Sequence, residues 1–387
     1  MAETIPLIEP VVGDEELENI EDVLDSGYMT QGPYAEEMEE KLKSIVEVDH
    51  AITVTSCTTG MELALEALGI GSGDEVIVPD FTHPATGNVV ERVGASPVLV
   101  DVDRETYNID HSEAAAAVTE DTAAILPVAW GGQPLDHEPL QDIADEHELY
   151  IVEDAACSAK ASFDGQSVGS QFDVSVFSFH PRKVLTTGEG GMITTDDAEL
   201  AREIRSIKNF GTDPMGDRRG FFKANATNYR FSDILAAVGV AQLEKAGEII
   251  GRRREIAARY DELLADLDGV TAPAVIDGGK HNYQCYCVYI EAGDGELRDE
   301  LIDALADEEI ETQIGTYALH DTEAFGDAKQ PGTLENSAAL QDNLLALPVD
   351  DAVHADREVA HLVVADVGGP PAGHPGRVEV GGHLELP

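Results

Sequence analysis

One lysine of this chain stands between an apolar segment and a glycine-rich turn. Lys183 follows residues 174–179, whose apolar character predicts a buried strand, and precedes the Thr/Gly-rich residues 186–191. A lysine amine forms a Schiff base when its surroundings lower its pKa or hold a carbonyl compound against it. Only nine lysines occur in the chain, and Lys183 alone has this setting. An ordinary surface lysine is the competing interpretation.

A carboxylate follows another predicted strand. Residues 149–152 are apolar and lead into Glu153 and Asp154. A carboxylate at a buried strand end is costly unless a cation accompanies it, and a protonated pyridine nitrogen is one such cation. The alternative role for Asp154 is that of a helix N-cap.

Hydroxyl-bearing residues occupy two further strand ends. The turn 56–60, with Cys57 and Thr58, precedes a predicted helix at 61–68. Free amides and the dipole at a helix N-terminus bind phosphate, although Ser or Thr at this position is also an ordinary N-cap. Ser178 ends the strand before Lys183 and offers a second hydroxyl to a phosphate.

Together these residues supply what pyridoxal phosphate requires. The cofactor needs a phosphate site, an anion for its ring nitrogen and an amine for its aldehyde. The order along the chain is phosphate turn, Asp154, then Lys183, and this combination is far more specific than any one part.

The elements that position these residues alternate between strand and helix through the first two-thirds of the chain. This pattern predicts an α/β fold with a mainly parallel sheet covered by helices on both faces, with the ligand at the carboxyl ends of the strands. We expect an N-terminal arm at 1–13, a large domain at 14–254, a smaller α+β domain at 255–366 and an irregular Gly/Pro-rich tail at 367–387.

Composition narrows the class of protein. The 387 residues include 24 basic and 76 acidic side chains, which give a formal net charge of −52. Such a negative field argues against partners that are nucleic acid or anionic membrane, and acid spread along the chain suggests adaptation to high salt. An acidic disordered protein is the competing reading, which the apolar fraction disfavours. We expect neither a membrane span nor a signal peptide.

Four cysteines are present. Cys285 and Cys287 alternate within a predicted strand at 283–290, so they are expected on one face, where structural thiols are favoured over a metal pair. No metal site is expected. Sparse cysteine fits a reducing cytoplasm.

Seven short segments carry a shared pattern. They are TSCTTG (55–60), VPDFTHPAT (78–86), DVD (101–103), VEDAA (152–156), FSFHPRK (177–183), TTGEGGM (186–192) and NYRFSD (228–233). Through them the chain, from residue 5 to 349, resembles the sugar aminotransferases of the DegT/DnrJ/EryC1/StrS group, within the fold-type I pyridoxal phosphate enzymes.

The resemblance implies a role for each matching residue. Lys183 would bind the cofactor and shuttle a proton, and Asp154 would keep the pyridinium nitrogen protonated. Ser178, Cys57 and Thr58 would bind the phosphate. The remaining implied cofactor contacts are His83 stacked on the ring, Cys157 near the phenolic oxygen, and Asn228 reaching the phosphate of the neighbouring subunit in a homodimer with shared active sites.

The predicted function is amino transfer, with glutamate as the expected donor, to a keto group of a nucleotide-linked sugar in glycan synthesis. Candidate arginines for the nucleotide are Arg182, Arg218, Arg219 and Arg230. Two alternatives stay open. One is a different reaction on the same cofactor, such as sugar dehydration, although related dehydratases replace the lysine by histidine. The other is a non-catalytic regulatory or binding protein on this fold, which Lys183, Asp154 and Ser178 disfavour.

Overall fold

The structure is a computed structural model that describes residues 4–212, 222–291 and 295–349. The helices are α1 Asp14–Ser26, α2 Pro33–Val46, α3 Cys57–Ala67, α4 Pro84–Arg92, α5 His111–Ala117, α6 His137–His147, α7 Ala198–Ile207, α8 Asp233–Leu264, α9 Glu296–Asp307 and α10 Glu335–Asn343, with 3-10 turns at Trp130–Gly132 and Leu319–Asp321. The strands are β1 His50–Val54, β2 Glu75–Pro79, β3 Phe81–Thr82, β4 Ser96–Val100, β5 Thr122–Ile125, β6 Tyr150–Asp154, β7 Ser162–Phe163, β8 Gln166–Ser167, β9 Val174–Ser178, β10 Gly191–Thr195, β11 Val270–Thr271, β12 Gly279–Lys280, β13 Tyr286–Ile290, β14 Gln313–Ile314, β15 Tyr317–Ala318 and β16 Leu344–Leu347.

A seven-stranded sheet forms the centre, in the order β1-β10-β9-β6-β5-β2-β4. The pairings from β4 through β9 are parallel, whereas β10 pairs antiparallel with both β9 and β1. The predicted fold class, a mainly parallel sheet flanked by helices, is therefore confirmed. The antiparallel edge puts the carboxyl end of β9 beside the start of β10, and the residues between them form the loop that carries Lys183.

Both faces of the sheet are covered. Along β2, Ile77 packs into a core that includes residues of α2 and α8, while Val76 and Val78 pack into another core with residues of α3, α4 and α7. Alternate side chains of a strand point to opposite faces, so a strand buried on both sides reads as a continuous apolar run. No helix in the described residues combines the length and hydropathy that a membrane span requires.

A second, four-stranded sheet lies later in the chain, in the order β11-β13-β16-β14. It shares a core with the second half of α8 and with α9. The N-terminal segment joins this region, because the Ile5 amide donates to the Glu309 carbonyl at 2.9 Å and the Ile5 carbonyl accepts from the Glu311 amide at 2.9 Å. Residues 350–387, which include the predicted tail, lie outside the described residues.

One helix is long and one predicted strand is shorter than expected. Helix α8 runs unbroken from Asp233 to Leu264, because buried apolar residues recur beyond Gly247 and Gly251 and no atom lies within 4 Å of where a Cβ of either glycine would be. The proposed domain boundary at 254/255 thus falls within this helix. Cys285 and Cys287 face the same side, as predicted, since their thiols contact each other, but Cys285 lies before β13 rather than in it. The segment 281–285 is instead bent against another turn.

Candidate active site

The carboxyl ends of β6 and β9 meet the N-terminus of α3. The Ala155 amide donates to the Val176 carbonyl at 3.0 Å, which holds the two strand ends together. The first turn of α3 approaches closely because Gly191 lies beneath it. A Cβ on Gly191 would lie 2.6 Å from the Cys57 amide nitrogen, so only glycine permits this distance.

Asp154 is 5% exposed and ends β6 at this edge. Its Oδ2 accepts from Thr86 Oγ1 at 3.0 Å, and its Oδ1 accepts from the Ala156 amide at 3.1 Å and faces Cys57 Sγ at 3.8 Å. These donors are a hydroxyl, an amide and a thiol, none of which is a cation. The buried carboxylate thus has the character that a cationic ring nitrogen requires.

Lys183 points toward the same place. Its Nζ donates to Cys157 Sγ at 3.1 Å, and its own amide donates to the His180 carbonyl at 2.9 Å. Burial lowers the pKa of Lys183, but the neighbouring Cys157 and Asp154 outweigh burial and raise it above the usual value. Burial raises the pKa of the Cys157 thiol, against the opposing effect of Lys183. Before the cofactor arrives, the amine is therefore an ammonium.

The α3 N-terminus and Ser178 line the neighbouring edge. Ser56 caps α3 by accepting from the Thr59 amide at 3.1 Å, while Cys57 and Thr58 begin the helix. Ser178 pairs with Gly191 across β9 and β10, and its Oγ accepts from the His180 amide at 3.3 Å. The first amides of a helix have no partner within it, so this turn offers donors to an anion. Burial and Asp154 raise the pKa of Cys57 well above its usual value, so the thiol beside the Asp154 carboxylate is uncharged.

His83 is the N-cap of α4, where its Nδ1 accepts from the Ala85 amide at 3.1 Å. Partial burial and the charge of Lys183 lower the pKa of the His83 ring, so the ring is neutral at physiological pH. A neutral imidazole is flat and apolar on its faces, which suits stacking on an aromatic ring.

Asn228 is the one predicted site residue that lies apart from this cluster. It is exposed, pairs with Asn209 through the backbone, and accepts from Arg230 Nε at 2.9 Å. Arg182 is exposed in the lysine loop, and Arg218 and Arg219 lie outside the described residues.

Sequence reasoning missed several contributors. Thr86 lay within a matched segment, but its contact with Asp154 carries no local signal because 68 residues separate them. Gln284 and Asn282 hold the backbone next to Lys183 and Cys157, and their positions before β13 gave no indication of it. Cys57, Cys157, Cys285 and Cys287 are free thiols, and the described part of the chain holds no cluster with metal-binding geometry.

The residues at this edge fit pyridoxal phosphate. Gly191 lets the N-terminal turn of α3 lie close to the strand ends, and the buried Asp154 carboxylate and the Lys183 amine converge beside that turn. A phosphate, a ring cation and an aldehyde are the three complementary groups.

Comparison with known proteins points to one family. Residues 10–367 match the model of the DegT/DnrJ/EryC1/StrS aminotransferase family. The chain is 38% identical over 318 residues to GDP-perosamine synthase of Caulobacter vibrioides, covering 82% of this chain and 85% of that protein. It is 35% identical over 378 residues to the spore coat polysaccharide biosynthesis protein SpsC of Bacillus subtilis, covering 92% and 97%. The crystal structure of the aminotransferase TlmJ from Streptoalloteichus hindustanus superposes with a TM-score of 0.88 at 31% identity, covering 94% of this chain and 99% of that one.

Proposed function

The chain belongs to the DegT/DnrJ/EryC1/StrS aminotransferase family, and we propose that Lys183 is the residue with which it transfers an amino group to the keto group of a nucleotide-linked sugar. It is a pyridoxal phosphate-dependent aminotransferase, and its homologues act in sugar and polysaccharide biosynthesis. The observation that carries the assignment is the convergence of Lys183, Asp154 and the α3 N-terminus at one edge of the sheet.

The roles of the residues follow from their chemistry. When bound, the cofactor supplies an aldehyde for amines and a ring that accepts the electron pair left at the substrate Cα. Lys183 Nζ would move the proton between the substrate Cα and the cofactor C4′. Asp154 would keep the ring nitrogen protonated, and Thr86 fixes the carboxylate through its 3.0 Å hydrogen bond.

The other side chains bind and orient. Thr58, Ser178 and the Cys57 amide would hold the phosphate at the helix N-terminus. His83 would stack on the ring, and Cys157 would be near the phenolic oxygen. A thiol is a weaker donor than an amide or imidazole, so this contact would affect the electronics of the ring less.

Glutamate is the proposed amino donor. Its addition to the cofactor-loaded enzyme should bleach the visible absorption band, and a keto sugar made in situ on its nucleotide should restore it. If glutamate leaves the band unchanged while another amino acid removes it, the donor assignment is wrong. If no nucleotide-linked keto sugar restores it, the acceptor assignment is wrong.

The proposed assembly is a homodimer with shared active sites. Asn228 is exposed on its own protomer, and the apolar side chains of Leu17, Leu24 and Tyr28 are 65%, 56% and 63% exposed. In the proposed dimer a partner would cover these side chains, and Asn228 would reach the phosphate site of that partner. Mixing the Lys183→Ala and Asn228→Ala proteins should restore activity through heterodimers that contain one intact site. No activity above that of the separate variants would contradict shared sites.

The proposed setting is a cytoplasm of high salt. A net charge of −52 repels itself, and dissolved ions screen that repulsion. The melting temperature should therefore rise steeply with KCl concentration, and a melting temperature that ignores salt would contradict this.

A further inference from the structure

A buried carboxamide brackets the backbone on both sides of Lys183. Gln284 Nε2 donates to the Arg182 carbonyl at 2.7 Å, and Gln284 Oε1 accepts from the Val184 amide at 2.7 Å. The side chain is 3% exposed. Two opposed hydrogen bonds from one planar group fix both the position and the rotation of the peptide units that carry the lysine.

A second carboxamide holds the turn that carries Cys157. Asn282 Nδ2 donates to the carbonyls of Cys157 at 2.8 Å and Ala159 at 2.9 Å, and Asn282 Oδ1 accepts from the Gln284 amide at 2.8 Å. We call Asn282 and Gln284 the amide clamp. The clamp connects the turn after β6 to the loop after β9, and these two segments carry the two partners of the 3.1 Å contact between Lys183 and Cys157.

The long helix α8 donates hydrogen bonds to the backbone next to the clamp residues. Arg253 Nη1 donates to the Tyr283 carbonyl at 3.1 Å, and Arg254 Nε donates to the His281 carbonyl at 2.8 Å. The guanidinium groups therefore fix the backbone from which the clamp side chains extend.

A turn that contains Gly131 and Gly132 also contacts the clamp segment. The Cys285 amide donates to the Gly131 carbonyl at 3.0 Å. Gly132 has φ of +103°, and a Cβ there would collide with Asn282 Oδ1. Atoms of α8 and of the glycine turn, which lie outside the active site, therefore restrict the position of the clamp.

We propose that Asn282 and Gln284 are positioning residues that set the direction of Lys183 Nζ relative to Cys157 and Asp154. This inference rests on the proposed role of Lys183 as the amine that captures the cofactor. Both residues act through the backbone and touch neither the amine nor its target. A displacement of about 1 Å at a reacting group can cost up to about 10²-fold in rate, so fixing the loop matters for the chemistry.

The test separates capture of the cofactor from its binding. Gln284→Leu removes both clamp bonds to the lysine loop. Asn343→Leu is the matched control, because Asn343 is a 4% exposed carboxamide whose Nδ2 donates at 2.8 Å to the Ala339 carbonyl, outside the lysine loop and the turns that hold the clamp. The capture rate is read from the visible band after addition of pyridoxal phosphate. Binding alone is read with 4′-deoxypyridoxine phosphate, which has no aldehyde. Hydrogen exchange at the Val184 amide is measured without any cofactor.

For Gln284→Leu we expect capture to slow at least about tenfold, faster exchange at Val184, and an unchanged Kd for the deoxy analogue. Asn343→Leu should match the wild type in all three. Wild-type capture in Gln284→Leu, or an equal loss of analogue binding and capture rate, would overturn the proposal. If Gln284→Leu does not fold, Gln284→Glu decides. It keeps the acceptor for Val184 but loses the donor to Arg182, so the same comparison applies with a smaller slowing.

Failure of the underlying function has a different signature. If Lys183→Ala captures pyridoxal phosphate as the wild type does, Lys183 is not the capturing amine, and the inference falls with it. If Lys183→Ala fails to capture while the clamp variants behave as the wild type, only the inference falls.

Discussion

Lys183 is half-buried and Lys208 is buried, and the two lysines have different surroundings. Lys208 is 3% exposed, its Nζ donates to the Thr53 carbonyl at 2.6 Å, and it lies 3.9 Å from Glu39 Oε1. Arg205 also donates to Glu39 Oε2, at 2.8 Å. This closed cluster ties α7 to α2 and β1. Burial lowers the pKa of Lys208 to about 8, with Glu39 opposing the change.

Lys183 is instead held at its backbone. Its amine contacts a thiol, a weak partner that a ligand can displace, whereas the amine of Lys208 is committed to a carbonyl and a carboxylate. Burial and a shifted pKa therefore do not identify the catalytic lysine of this chain. The useful distinction is whether the amine or the backbone of the residue bears the structural hydrogen bonds.

The largest expected effect separates the two lysines by activity. Lys183→Ala should lower kcat/KM by at least about 10³-fold, because it removes the group that moves the proton at Cα. Lys208→Met should keep kcat/KM within about threefold of the wild type, since its amine acts only on structure. Steady-state transfer assays check both, and a comparable loss in the two variants would break the comparison.

Glu153 and Asp154, the adjacent carboxylates at the end of β6, show the same difference between a structural residue and a residue of the site. Glu153 is fully buried, with Oε2 accepting from Ser175 Oγ at 2.6 Å and from the Gly169 amide at 3.1 Å. Burial raises its pKa to about 7. Since the folded state then binds a proton that the unfolded state releases, this residue costs stability as pH rises from the usual glutamate pKa through 7.

Glu153→Gln should remove that pH dependence. The free energy of unfolding of the variant, relative to the wild type, should be about 3 kcal/mol higher at pH 8 than at pH 4.5, because the wild type loses this stability as Glu153, with its pKa of about 7, gives up its proton. Urea unfolding at both pH values measures this. Parallel stability curves for the two proteins would show that Glu153 does not titrate in this range.

The free energy of unfolding of Lys208→Met tests the structural role of Lys208. Because burial lowers the pKa of Lys208, the buried ammonium costs stability at pH 7, and Lys208→Met removes this cost together with the hydrogen bond to the Thr53 carbonyl. The wild type should gain stability from about pH 8 toward the usual lysine pKa, where the folded state has released the proton and the unfolded state has not. The variant should lack this gain. Unfolding curves across that pH range decide, and a Lys208→Met protein that still shows the gain would contradict the assignment.

Cys157→Ala tests the site by a smaller effect. Cys157 raises the pKa of Lys183, and only the neutral amine attacks an aldehyde. Capture of pyridoxal phosphate at pH 7.5 should therefore be about two- to fivefold faster in the variant, with the rate-versus-pH curve moved to lower pH. Stopped-flow absorbance follows it. A curve moved to higher pH would mean that the thiol favours the neutral amine.

The sequence predicted most of the fold and the centre of the site. Asp154 and Ser178 end apolar runs, and a parallel sheet gathers such ends at one edge, so their proximity follows from local pattern. The contacts that support them do not. Thr86 and Gln284 meet the site through pairings between distant segments, for which a single sequence has no periodic signal. Helix α8 runs past Gly247 and Gly251 because its buried face continues beyond both glycines, and that burial depends on contacts with distant segments.

The most direct test of the central claim is the identity of the lysine that binds the cofactor. The enzyme loaded with pyridoxal phosphate is reduced with borohydride and digested, and the peptides are analysed by mass spectrometry. The account predicts the cofactor mass on Lys183, within the peptide that follows β9. The same mass on Lys208 or another lysine, with Lys183 unmodified, would contradict it.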